Sequence, residues 1–509
     1  MSIADRLPCL GIGAGVWFHQ IEDFLASCTE STPIDYIEVY AEDLSQLKGL
    51  KDRLPEDLSV VLHGDSLSPA GADPIPSSLL LQTRELADEL NSPWVLEDLG
   101  VWRLDKRRPI GSPFWPPVFD EALVELVVSR LGYLNECFGR PFLCEVPPLD
   151  LVAGSLNLSE FFSKLVNQTG CGIVLDVSHW LRYAQIVDED PQQLWDEFPF
   201  QNVVELHISG GKRRNGIRWY KEEHSSDLLP ECIELLKAAL HRSPFVRAVT
   251  VESHGASIGV LTGAIQTVAK IPEVAALRAA KSSSFSLSSQ KNKIPTTPEK
   301  CLLELDKPAN LEIQRRQRTI REILEKPNLL FDLEENKFVF YDKDLPIFKS
   351  IPFSLWQEAS ISRLKKLFEL PRLANLVLTK LWGDSIEAYR QFLKANKECT
   401  VSELTTLDLL NFLITQCDLP SWAIDTLKFE IDVLLLTNQK PPRSLWKHGL
   451  IPNSYIVSYP CPVIATVNAT MSNKPIPERQ ITQISMSFVN NCLKVQELTK
   501  STNDEKILS

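Results

Sequence analysis

The chain has 509 residues, 44% of them apolar and 23% charged, a length for about two to four domains of ordinary globular composition. The formal net charge of −13 argues against an extended nucleic-acid surface. No apolar run reaches the roughly 18 residues that a membrane span needs, and MSIADRLPCLGIG has no basic region followed by an apolar core, so no signal peptide is expected. Eleven cysteines, scattered from Cys9 to Cys492 without a CxxC pair, make neither a disulfide framework nor a zinc ribbon and fit a reducing cytoplasm.

In chain order, eight short apolar runs come first: Cys9–Ile12, Tyr36–Tyr40, Ser59–His63, Trp94–Glu97, Phe142–Glu145, Gly172–Asp176, Val203–His207 and Ala248–Glu252. Helix-like segments such as Ser78–Leu90 and Asp120–Phe138 separate them. Alternating β and α units predict a parallel sheet covered by helices. Eight units in about 250 residues predict a closed (β/α)₈ TIM-type barrel, with an open doubly wound sheet as the alternative. The Ser-rich stretch Lys281–Lys300 lacks periodicity and reads as a linker. Beyond it the pattern is mostly α-helical: Asn310–Glu325, Leu355–Phe368, Leu373–Trp382, Ser385–Ala395, Thr406–Gln416 and Ser421–Leu436. Tyr455–Val467 reads as strand, interrupted by Pro460 and Pro462, and the end of the chain beyond about Leu498 as a frayed tail. The expected organisation is a metal-binding barrel over 1–275, a linker over 276–305, a helical domain over 306–440 and a strand-containing extension over 441–509.

The strand-like runs end on ligand-type residues: His63, Glu97 with Asp98 beside it, Glu145, Asp176, His207 and Glu252. The following loops add His19, His179, Glu222, His224 and His254. In a (β/α)₈ barrel these positions share one rim, where active sites sit. Carboxylates crowded there repel each other and resist desolvation, and divalent cations offset both costs. Imidazole with carboxylate suits zinc, iron or manganese. About nine candidate ligands exceed the needs of one ion, so two or three metals are expected, roughly 3.5–4 Å apart. Any one of these residues alone could be a structural histidine or a salt-bridge carboxylate; their recurrence at one end of six successive strands carries the reading.

Weaker signals are GIGAG at Gly11–Gly15, read as the loop after the first strand with close backbone approach near the site, and the basic loop Ser209–Gly216, suited to an anion or equally to solvent. Trp102 and Trp115 flank the site loops and could line a peptide groove or simply pack.

Over about residues 9–260 the chain resembles the multinuclear non-heme iron-dependent oxidative enzymes that modify ribosomally made peptides, a family known from methanobactin biosynthesis. The landmarks are Gly11-Ile12-Gly13 with His19, Tyr36-Ile37-Glu38-Val39 with Ala41-Glu42-Asp43, His63-Gly64 with Ser66-Leu67-Ser68, Trp94 to Leu99, the Glu145 strand, Leu175-Asp176-Val177 with His179, Leu206 to Gly210, His224, and Val251-Glu252. The resemblance implies His19, His63, Glu97, Glu145, Asp176, His179, His207, His224 and Glu252 as iron ligands. Departures are Asp98 where a His is usual, Glu222 and His254 where Asp is usual, His179 where many members have Asn, Val146 in place of an Asn, and Gly211 in place of a His. The helical half, through Phe368, Leu381, Gly383, Tyr389, Leu419-Pro420, Leu427, Glu430 and Tyr459-Pro460, is similar to the small partner proteins of these enzymes, and would replace a separate partner subunit that helps deliver the precursor peptide. The activity so implied is O₂-using oxidation of a cysteine in a precursor peptide with a leader segment, with two or three iron ions, mixed Fe(II)/Fe(III), and O₂ as co-substrate. Two rival readings of the same residues are a zinc hydrolase resembling endonuclease-IV-type repair enzymes, and a non-catalytic peptide-binding protein with a degenerate metal site.

Overall fold

The computed structural model describes residues 7–29, 32–41, 46–109, 114–213, 219–222, 224, 227–253, 256–281, 308–334, 347–348, 350–367, 372–382, 386–396, 399, 405–437, 454–459, 482–489 and 492–498. Most of the Ser-rich stretch, His254, the Pro460–Pro462 region and the tail after 498 therefore lie outside the described residues.

Eight parallel strands close a barrel: β1 (Gly11–Val16), β2 (Tyr36–Tyr40), β3 (Ser59–His63), β4 (Val95–Asp98), β5 (Phe142–Glu145), β6 (Ile173–Asp176), β7 (Val203–Ser209) and β8 (Ala248–Glu252). The neighbours run β1-β8-β7-β6-β5-β4-β3-β2 and back to β1. The TIM-type expectation holds. Helices α1 (Ile21–Ser27), α2 (Ser77–Glu89), α3 (Glu121–Phe138), α4 (Leu158–Thr169), α5 (Val177–Val187), α6 (Pro230–Arg242), α7 (Ile258–Val268) and α8 (Pro272–Ala279) follow the strands. Local chemistry sets their ends. Asp120 caps α3 by accepting from Leu123 N–H at 2.9 Å, and Gly139 ends it with a φ of 62°. Asn157 and Glu160 form a reciprocal capping box at α4.

Side chains alternate across each strand, so residues two apart share a face. Tyr36, Val61, Leu96, Leu143 and Val174 belong to one buried apolar cluster with Trp94 and Ala248. Two residues further along the same strands stand Glu38, His63, Asp98, Glu145 and Asp176. The barrel interior thus passes from an apolar floor to a layer of ionisable groups at the strands' C-terminal ends.

The first strand is not Cys9–Ile12. GIGAG is itself β1, and the loop expected there begins only after Val16. Its expected close approach is real. A Cβ on Gly13 would lie 2.3–2.6 Å from the Tyr36 ring, and one on Gly15 would lie 2.3 Å from the Tyr40 hydroxyl. Only glycine leaves β2 room for its two inward tyrosines.

Contacts divide the chain into two compact units, Met1–Leu324 with Asn336–Ala359, and Glu325–Glu335 with Ser360–Ser509. Helix α9 (Pro308–Glu325), although it follows the Ser-rich stretch, lies almost wholly in the barrel's unit. Its fully buried Gln317 accepts from Ala72 N–H at 3.0 Å and donates to Ala70 O at 2.7 Å. Arg316 pairs with Asp120, and Arg318 and Arg321 both reach Asp105. All these partners lie on the segments following β3 and β4.

The second unit contains helices α10 (Pro327–Glu334), α12 (Arg372–Trp382), α13 (Ile386–Ala395), α14 (Thr406–Gln416) and α15 (Ser421–Thr437); α11 (Phe353–Leu367) crosses the division. It also contains an antiparallel sheet of β9 (Ser454–Tyr459), β10 (Thr482–Val489) and β11 (Cys492–Leu498). The last two strands and α10 were not expected from sequence. Among the described residues no single helix is long and apolar enough to cross a membrane.

Candidate metal centre

Four ligand-type side chains converge at the C-terminal end of the barrel: Glu145 from β5, Asp176 from β6, His207 from β7 and Glu252 from β8, with donor atoms all within 4.8 Å of one another. Three further groups share members with it: His63 with Asp98 and Glu145, His63 with Glu38 and Glu252, and His207 with Glu38 and Glu205. Every one of these residues is buried.

Glu145 is the hub. Its Oε2 lies 3.0 Å from His63 Nε2 and its Oε1 lies 3.1 Å from His207 Nδ1. His207 faces two ways: Nδ1 is also 3.2 Å from Glu252 Oε1, while Nε2 is 3.2 Å from Glu38 Oε2 and 3.6 Å from Glu205 Oε1. Asp176 ends β6 and caps α5, its Oδ1 accepting from Ser178 and His179 N–H. His179, on the first turn of α5, donates from Nδ1 to Val146 O at 2.7 Å and presents Nε2 to Asp176 Oδ2 at 3.7 Å. His63 donates from Nδ1 to Gly64 O at 2.6 Å. In both histidines a backbone carbonyl holds the Nδ1 proton and turns Nε2 toward carboxylates, the support usual for a metal-binding imidazole.

Six buried carboxylates, Glu38, Asp98, Glu145, Asp176, Glu205 and Glu252, face three imidazoles, His63, His179 and His207. Burying an ionised carboxylate costs several kcal/mol even after relaxation. Without a cation the layer shares protons instead. Burial pushes Glu38 up to about 7 against the pull of His207, and pushes Asp98 well above the usual carboxylate range, with Glu145 adding to the rise. Burial alone would lower His63, but its hydrogen bond to Glu145 and the surrounding carboxylates raise it to about 10. Burial opposes the ionised form of Glu145, yet His207 and His63 beside it hold it down at about 2. Glu38 Oε1 and Asp98 Oδ1 are buried with no hydrogen-bond partner among the described residues. This donor set fits divalent cations: hard oxygens and imidazole nitrogens, convergent, dry and short of positive charge.

The sequence-derived candidates divide. His63, Glu145, Asp176, His207 and Glu252 come together, with His179 at their edge. Glu97 does not join them. It lies on the opposite face of β4 from Asp98, where its carboxylate accepts from the backbone N–H groups of Ser66 (3.2 Å), Leu67 (2.9 Å) and Ser68 (2.6 Å). His19 is exposed on the short helix Phe18–Gln20, and half-buried His224 follows the strand pair Gly211–Lys212 and Lys221–Glu222; neither joins a convergent group among the described residues. Trp115 is fully buried and packs, whereas half-buried Trp102 sits on the rim, its ring 5.3 Å from Phe114. Glu38, Glu205 and Asp98 are the additions. Glu38 and Glu205 lie inside the apolar runs YIEVY and VVELH, and their signal was parity: each is two residues before an inward Tyr40 or His207.

The family model described as "RiPP precursor modification enzyme MbnB/TglH/ChrH" matches residues 11–274, just over half of the chain. A UPF0276 protein of Bordetella pertussis is 28% identical over 218 residues, covering 41% of this chain and 73% of that protein. A UPF0276 protein of Anaeromyxobacter sp. is 26% identical over 288 residues, covering 55% of this chain and 98% of that one. Among solved structures, a xylose isomerase domain protein from Planctomyces limnophilus aligns at 12% identity with a TM-score of 0.34, covering 53% of this chain and 98% of that one.

Proposed function

Because the chain belongs to the MbnB/TglH/ChrH family of RiPP precursor modification enzymes, we propose that its buried carboxylate–imidazole layer holds two or three iron ions, mixed Fe(II)/Fe(III), and that it uses O₂ to oxidise a cysteine of a ribosomally made precursor peptide. The observation that carries this reading is the convergence of Glu145, Asp176, His207 and Glu252, with His63 and Asp98 alongside, at the active-site end of the barrel.

Glu145, whose two oxygens face two different imidazoles, would be the central ligand. Glu252, which belongs to both the His207 and the His63 groups, would be a further ligand. His63 and Asp98 would complete one side, and Asp176 with His179 the other. Glu97, His19 and His224 are left out of the ligand set. When bound, iron supplies thiolate binding and O₂ activation, for a four-electron oxidation of cysteine in which O₂ leaves as two waters. The residues of the chain keep the layer dry, orient the ligands and take up the protons the thiol releases. Trp102 and Trp17, half-buried on the loops after β4 and β1, offer ring faces to the peptide. The second unit, in this reading, stands in for a separate partner that delivers the peptide's leader.

The test is anaerobic reconstitution with Fe(II), followed by O₂ and a Cys-bearing candidate peptide. An O₂-dependent mass change confined to the Cys residue is expected; its absence with every candidate peptide would sink the proposal.

A further inference from the structure

The three inward residues of β2 each reach across the barrel to another strand. Tyr36 donates to Glu205 Oε1 at 2.9 Å, Glu38 Oε2 lies 3.2 Å from His207 Nε2, and Tyr40 donates to Glu252 Oε1 at 2.9 Å. The lowest of these contacts is also the most fully tied down: Glu205 accepts in addition from Trp94 Nε1 at 2.8 Å and Thr250 Oγ1 at 2.7 Å, at the foot of the ionisable layer. The upper two end on candidate ligands.

We propose that Tyr40 and Glu38 are positioning residues of the metal centre, Tyr40 for Glu252 and Glu38 for His207. This rests on the metal reading above and adds to it a strand that supplies the orientation of ligands on β7 and β8. Tyr40 is fixed on three sides. Its ring lies 5.0 Å from His63 and 4.9 Å from Trp17, and its hydroxyl sits in the space that Gly15 leaves open. A phenol held this firmly engages Glu252 Oε1, the same oxygen that lies 3.2 Å from His207 Nδ1, and so fixes the carboxylate against the ligand group. Glu38 stands behind His207, its Oε2 3.2 Å from Nε2. Its Oε2 makes a charge contact with Nε2 without the alignment of a hydrogen bond; with a metal on Nδ1, which faces Glu145 and Glu252, the ring proton would sit on Nε2 beside this carboxylate. A carboxylate behind a ligating imidazole fixes its tautomer and ring orientation, and losing such a support costs about 10–100-fold in metal affinity.

The test uses the full-length protein, stripped of metal and reloaded with Co(II), whose visible spectrum reports ligand geometry. Tyr40→Phe and Glu38→Gln keep side-chain volume. Both are expected to bind as many Co(II) ions as the parent, with affinity about 10–100-fold lower and displaced visible bands. Far-UV circular dichroism of the metal-free variants is expected to match the parent. A variant that equals the parent in affinity and spectrum overturns the assignment of that residue. So does a lower ion count, which would make the residue a ligand. A parent that takes up no Co(II) overturns the metal reading itself, and this assignment with it.

Discussion

Glu97 and Asp98 are neighbours in the chain with opposite tasks: Asp98 joins His63 and Glu145 inside the barrel, while Glu97 crosses to the other face of β4 and holds the loop after β3 by three backbone N–H groups. Substitution should separate them. Glu97→Ala leaves buried donors without a partner, at about 1–3 kcal/mol each, and should lower the melting temperature with the metal count unchanged. Asp98→Asn removes a crowded carboxylate; it should lower metal content while leaving the metal-free protein as stable or more so. Metal analysis and calorimetry on both variants check this, and the opposite pattern would assign Glu97 to the metal.

Metal affinity should rise with pH. In the metal-free state His63 keeps its proton up to about 10 and Glu38 up to about 7. A bound ion needs the His63 lone pair, so binding expels protons throughout the neutral range. Titration calorimetry in buffers of different ionisation enthalpy should show net proton release at pH 7. For the metal-free fold the sign is reversed: the raised His63 value contributes stability that is complete below about 6.5 and is lost as pH climbs through about 10. Proton-neutral metal binding would contradict this account.

Gln317 should prove an anchor of the site's wall. It is fully buried and satisfies both Ala72 N–H and Ala70 O. Gln317→Leu would strand both groups, at about 1–3 kcal/mol apiece. Hydrogen exchange at residues 70–72 should accelerate in the variant; unchanged protection there would show that α9 is not what holds this loop.

Asp105 offers a milder test of the same helix. Hydrogen bonds from Arg318, and then Arg321, hold its carboxyl below the usual range despite partial burial. A depressed value gives stability present above the unfolded value of about 4 and lost as pH falls through the lower folded one. The pair is partly solvated, so Asp105→Asn should cost only about 0.5–1 kcal/mol. Denaturant melts at pH 5–8 should show that full difference, and it should close below about pH 4; a gap that persists in acid would rule out the ion pairs as its source.

The barrel was legible because strand length and apolar content are local properties: four of the eight strands match their expected bounds, and the others shift by at most a few residues. A shift of one residue is enough to move a side chain out of the convergent group. Ending the fourth strand at Glu97 rather than Asp98 pointed to the wrong face, since consecutive side chains lie on opposite sides. Glu38 and Glu205 are hidden in the sequence because each is a single carboxylate inside a short apolar run, where an apolar residue is the ordinary occupant. The docking of α9 left no sequence signal, because its buried contacts with the barrel include Arg316 and Gln317, residue types that ordinarily face water.

The most direct measurement is metal content of the purified full-length chain, with Mössbauer spectra of protein enriched in ⁵⁷Fe. Two or three irons per chain in mixed Fe(II) and Fe(III) states is the predicted result, falling in Asp98→Asn and His207→Ala and unchanged in Glu97→Ala. Stoichiometric zinc without iron, together with cleavage of DNA at abasic sites, would contradict it.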